Sequence, residues 1–173
     1  MKRNILILLV VCTAGLLVTT SFASEPDRTT IVQIDDVLDA YDNDNKRLGT
    51  TVQRLRQLTT EHPQSSAVWI RLAVGQARLG DYSGAKDSVA RLLALDPTHV
   101  QGLAVRGNIA WKTGDISAAR TDFQTVLQSK PRHPVANNFK AFEAIKAGQF
   151  KEAVNHARNA LVGNPKNLNF RIQ

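Results

Sequence analysis

Gly80, Gly114 and Gly148 stand 34 residues apart. Ala85, Ala119 and Ala153 keep the same interval, and so do Pro97, Pro131 and Pro165. Three kinds of landmark held in register over two steps describe an internal repeat, which fixes the architecture before any single residue is considered. One unit of this size cannot bury its apolar side alone, so successive units must stack to close a continuous core.

Each unit reads as two helices. Ser66 to Leu79 places Trp69, Ile70, Leu72, Ala73 and Ala77 near a helical period. Gly80 punctuates, Asp81 is suited to cap the next helix, and Tyr82, Ala85, Val89, Leu92, Leu93 and Leu95 form its apolar face. Asp96-Pro97 stops it, because proline disfavours helical backbone in the residue before it. The second unit repeats the scheme with Leu103, Ala104 and Gly107, then Ile116, Ala119, Phe123, Val126 and Leu127. The third offers Ala136, Phe139, Ala141 and Ile145, then Phe150, Ala153, Ala157, Ala160 and Leu161. Strand signals are nearly absent, so the class is all-α. Ala73, Gly107 and Ala141 are expected to face Ala85, Ala119 and Ala153 and let the paired helices approach closely. Tyr82, Ile116 and Phe150 are expected to fill the space at the turns.

At these residues the chain resembles the tetratricopeptide repeat family, whose pattern is W-x2-L-G-x2-Y…A-x3-F…P over 34 residues. The first unit matches at Trp69, Leu72, Ala85 and Pro97, the second at Gly107, Ala119, Phe123 and Pro131, the third at Ala153 and Pro165. The resemblance implies a right-handed solenoid of antiparallel helical hairpins with a 34-residue period. Three repeats fall at 66–99, 100–133 and 134–167, within a segment running from 64 to 167. One period earlier, Leu48, Val52, Leu55 and Leu58 make an apolar stripe, preceded by Ile31, Ile34, Val37, Leu38 and Tyr41. Residues 31–63 therefore read as a divergent N-terminal hairpin that caps the array, and 24–30 as a flexible leader. Residues 168–173 are a short tail that enters the first turn of another repeat. Val154, Ala157 and Leu161 are expected to lie partly uncovered unless Leu168, Phe170 and Ile172 fold back, which makes the C-terminal end a site of self-association.

Residues 1–23 have the form of a secretory signal peptide: Lys2 and Arg3, then the apolar run Ile5 to Val18, then small Ser21 and Ala23 around Phe22. Cleavage before Ser24 and a periplasmic location are expected, with an uncleaved membrane anchor as the alternative. Cys12 lies within this segment, so the mature chain has no cysteine and no thiol chemistry. Removing Lys2 and Arg3 from the net charge of +7 leaves +5. That balance fits a mixed-charge solvated surface, and export disfavours nucleic acid as a partner.

Motifs that carry catalysis or metal binding do not fit the chain. The run "DNDN" from Asp42 to Asn45 invites an EF-hand reading, but the sixth and twelfth places hold Arg47 and Gln53 instead of glycine and glutamate. It reads as a turn or helix cap. His99 and His133 occupy equivalent loop positions and His62 nearly so, which repetition explains without catalysis. There is no HExxH, Walker loop, dinucleotide fingerprint or nucleophile elbow. No enzyme activity, cofactor or metal is expected.

The resemblance assigns binding to a concave groove lined by the first helix of each hairpin. Transferring its positions gives Arg71, Val74 and Arg78 in the first unit, beside Ile70 and Ala77. Val105, Asn108, Trp111 and Lys112 follow in the second, beside Ala104, and Asn138, Phe139, Phe142, Ile145 and Lys146 in the third. The lysine–asparagine carboxylate clamp of some relatives is not supported, because its first-unit places hold Ile70 and Val74. Aromatic anchors with a basic line of Arg78, Lys112 and Lys146 suit an apolar peptide carrying some acidic charge. The implied role is an adaptor for a protein or peptide partner that aids assembly of an envelope or secretion complex at the membrane. A structural subunit that self-associates through its ends, or an accessory subunit of an envelope enzyme, is the alternative.

Overall fold

The computed structural model describes residues 25–39 and 44–163, and all statements below concern those residues. Residues 1–24, which include the expected signal peptide, lie outside them, as do Tyr41, Asp42, Asn43, Pro165 and the tail. Eight helices follow one another: α1 (Arg28–Asp39), α2 (Asn45–Glu61), α3 (Ser66–Arg78), α4 (Tyr82–Leu95), α5 (Val100–Lys112), α6 (Ile116–Ser129), α7 (Pro134–Lys146) and α8 (Phe150–Gly163). Helix α1 starts three residues before the apolar stripe that marks it, because Asp27 accepts from the N–H groups of Thr29 and Thr30 and caps it.

The 34-residue landmarks have local causes. Gly80, Gly114 and Gly148 adopt φ of 79°, 89° and 73°, a left-handed conformation that glycine enters without steric cost. Asp81 and Asp115 then cap α4 and α6 by accepting from Gly84 and Ala118. A second capping slot recurs one period apart at Ser65, His99 and His133, whose side chains accept from the N–H three residues on. His99 and His133 are thus helix caps. Asp44, the third residue of "DNDN", caps α2 through the N–H groups of Lys46 and Arg47.

The helices form two rows. α1, α3, α5 and α7 touch in succession, and each pairs with the helix that follows it in its own hairpin. Each of α3, α5 and α7 also packs on the second helix of the preceding hairpin. This is an all-α solenoid of stacked hairpins. Ala73, Ala85 and Ala119 are fully buried, and a Cβ on Gly107 would stand 3.1 Å from both Asp122 Cβ and the Phe123 ring. Small residues do let the paired helices close.

Three apolar clusters run along the stack. Ile34, Val52, Leu55, Leu58, Val68 and Leu72 join the first hairpin to α3. Val89, Leu92, Val105 and Ile109 lead a second, and Phe123, Val126, Ala136 and Phe139 a third. Tyr82 and Ile116 pack against the second and third clusters. Phe150 does not fill its turn and is 69% exposed. The reason is positional, since α5 and α7 cover the earlier two and no described helix follows α8.

Candidate functional site

The groove positions separate into three groups once side chains are placed. Phe139 is fully buried, Val105 is only 8% exposed, and neighbouring Ile70 and Ala104 are buried too. These are core residues that a partner cannot reach, which corrects the groove assignment of Phe139 and Val105. Helices α5 and α7 turn Val105 and Phe139 toward the preceding unit, where apolar burial outweighs any gain from display. Val74 is half-buried against the second cluster.

Arg71 and Arg78 form the second group and are occupied by α1. Arg71 forks onto Asp35 through Nε and Nη2, both at 2.7 Å, and its Nη1 donates to the Ala67 carbonyl at 2.8 Å. Arg78 donates to the carbonyl of Leu38 and, at 3.5 Å, to that of Val37. Those carbonyls end α1, where a cation offsets the helix dipole. Ser65 adds a contact from its hydroxyl to Glu25, just before α1. Start, middle and end of α1 are thus tied to the start, middle and end of α3, so the two run parallel. Both arginines are ties between helices, which corrects their assignment as hooks for a ligand.

The third group is the accessible one. Trp111 is half-buried, edge-on to Phe123 and Phe139 at centroid distances of 6.5 and 5.4 Å, and 5.6 Å from Phe142. One side of its ring therefore belongs to the core. Phe142 is half-buried, Ile145 is 56% exposed, and Lys146 places Nζ 5.8 Å from the Phe142 centroid. Lys112 is exposed, and half-buried Asn108 makes no side-chain hydrogen bond among the described residues. Asn138 is half-buried, with Oδ1 buried and without a hydrogen-bond partner. The surface that results is an aromatic shelf of Trp111 and Phe142, extended by Ile145 and edged by Lys112 and Lys146.

Its electrostatics follow from the scarcity of acids. Glu143 is the single acid on α3, α5 and α7. It lies 2.7 Å from Arg120 and 2.9 Å from Lys140. Burial alone would raise its carboxyl, but the hydrogen bonds from Lys140 and Arg120 together hold it below the usual range. The shelf edge therefore stays positive.

Other polar contacts escaped sequence reasoning. Ser88, Asp122 and His156 share one register slot, and each links its helix to the partner in the hairpin. Ser88 and Gln76 are 2.6 Å apart, Arg106 forks onto Asp122 at 2.9 and 2.6 Å, and His156 Nδ1 lies 3.0 Å from Asn137 Oδ1. The 34-residue register carried this signal, in a slot that is polar in every unit. Nothing in the spacing marked the Asp35–Arg71 pair.

The His133 cap gives a pH dependence. Burial first, and the charge of Lys130 second, lower its pKa below the usual imidazole value. Neutral Nδ1 accepts from the Ala136 N–H at 3.4 Å, and protonation removes that acceptor. The unfolded chain then takes up the proton first, so the stabilisation is complete above about pH 6.5 and is lost as the pH falls through the lowered value. Denaturation midpoints measured from pH 8 to 5 are expected to fall less steeply in His133→Ser, which keeps a cap without a titrating ring. Equal slopes would place the proton elsewhere.

No protein-family model matches the chain, and no curated protein matches it in sequence. Solved structures do match. MamA from Desulfovibrio magneticus RS-1, residue 41 to its end, superposes with a TM-score of 0.59 at 15% identity, covering 82% of this chain and 78% of that one. TTC0263, a thermophilic TPR protein of Thermus thermophilus, gives 0.57 at 16% identity over 80% and 83%. The Cut9–Hcn1 hetero-tetramer of the APC/C gives 0.62 at 18% identity, over 80% of this chain and 29% of that one. At these identities the likeness establishes the fold alone, which is that of tetratricopeptide repeats, an architecture typical of proteins that bind other proteins.

Proposed function

We propose that the chain is an exported adaptor that holds a protein or peptide segment on the row formed by α3, α5 and α7, and so assists assembly of an envelope or secretion complex. The observation that carries this reading is the shelf of Trp111 and Phe142, left half-open in the middle of that row beside exposed Ile145 and two lysines. Aromatic side chains at the centre of a partly dry surface supply most of the energy in protein recognition. Asn108 adds an amide able to bond an extended backbone, and Lys112 and Lys146 favour a segment with acidic residues beside its apolar anchor. Export to the periplasm is supported by the basic start, apolar run and small-residue site of residues 1–23.

Burying one aromatic or leucine side chain on the shelf would contribute roughly 1.5–3 kcal/mol. The triple variant Phe142→Ser, Ile145→Ser, Lys146→Glu is therefore expected to lower capture of envelope proteins by about tenfold or more. Circular dichroism should show unchanged helix content, since these side chains lie at the surface or its edge. If the folded variant retrieves the same proteins at the same yield, the shelf is not the binding site.

A further inference from the structure

The first hairpin and the rest of the chain differ in charge. Residues 25–63 hold eight acidic and five basic side chains, whereas residues 64–173 hold seven acidic and fifteen basic. At the N-terminal end, α1 exposes Val32, with Arg28 one turn before it and Asp36 one turn after it on the same face. Two arginines of α2 are engaged elsewhere, Arg54 with Glu61 and Arg56 with Asp81. At the other end α8 exposes Phe150, Val154 and Leu161 along one face, continued by Ile145 of α7. Exposed Lys146, Lys151 and Arg158 flank that row.

Register shows that Val154, at the centre of this row, is more than a residue whose covering stops. The slot of Val154, which is 57% exposed, holds Lys86 and Arg120 in the first two units. Arg120 pairs with Glu143 of the helix stacked on its unit, so the slot faces whatever comes next in the array. At Val154 helix α8 is apolar where both of its counterparts are charged.

We propose that copies of this chain stack head to tail, with the α1 face of one copy covering the α7–α8 face of the next. Val32 closes on the Val154–Leu161 row, and Asp36 faces the side that carries Lys151 and Arg158. Helix α1 then takes on α8 the place that α3, α5 and α7 take on the second helices before them. Charge selects this mode. Two C-terminal faces would set Lys146, Lys151 and Arg158 against their own copies, and two N-terminal faces would leave the α8 row bare, whereas the acidic first hairpin attracts the basic end. Such a contact joins unlike surfaces, so each copy keeps a free end and assembly continues past two copies. It meets the shelf at Ile145 and Lys146 but centres on Val154 of α8, so association of copies and capture of another protein are read separately.

Sedimentation velocity on the chain from Ser24 to Gln173, which carries every described helix, tests it. The expected mass rises with concentration past two copies and falls with added salt. Val154→Glu puts acid against the acidic face in a slot already charged in other units, and should weaken association by about tenfold or more. Asp36→Lys and Arg158→Glu should each weaken it alone, while a mixture of those two variants restores it because their reversed charges meet. A chain that stays monomeric, a mass that stops at two copies, or a mixture that fails to restore association would overturn the proposal.

Discussion

Phe139→Ala is expected to lower the stability of the array by about 3–5 kcal/mol, whereas Phe142→Ala should cost about 1 kcal/mol. Three residues apart on α7, the two rings have different surroundings. Phe139 is fully buried, with its centroid 5.0 Å from Phe123 and 5.4 Å from Trp111. Truncating it opens a cavity between α6 and α7 that rigid helices fill poorly, and removes two aromatic contacts worth more than their area. Phe142 meets Trp111 on one side and solvent on the other. Urea midpoints of the two variants measure the difference. Equal shifts would mean that the shelf and the core are not separated as drawn, and Trp111→Ala would then report binding and stability together.

The register of the repeat was legible because it rests on backbone chemistry. Turn glycines need positive φ, capping aspartates need a short acceptor, and close helix pairs need alanine or glycine, so each leaves its mark at a fixed spacing. The rows of helices and the stacked cores follow from those marks. The site was legible only in part, because one slot does different work in different units. Arg71, Val105 and Phe139 share a slot, yet the first ties α1 to α3 while the other two fill the core between units. Position within a repeat says which way a side chain points; what it meets there depends on the neighbouring unit. At Arg71 and Arg78 that neighbour is the divergent first hairpin, whose Asp35 and terminal carbonyls carry no periodic signal.

Leu55→Ala is expected to lower the stability of the first hairpin by about 2–5 kcal/mol. Leu55 is fully buried on α2, within the cluster that also holds Ile34, Val68 and Leu72. In a stacked array each unit contacts only its neighbours, so damage at one end opens that end first. Hydrogen exchange should therefore show lost protection over α1 and α2 while α5 and α6 keep theirs. Phe123→Ala, at the centre of the third cluster, should instead weaken α5, α6 and α7 together. Uniform loss of protection in Leu55→Ala would mean a single cooperative block, and no loss would mean that the hairpin is held by other contacts. Helix α1 buries Ile34 and packs Leu38 against the same cluster, and its polar ties to α3 add to that contact.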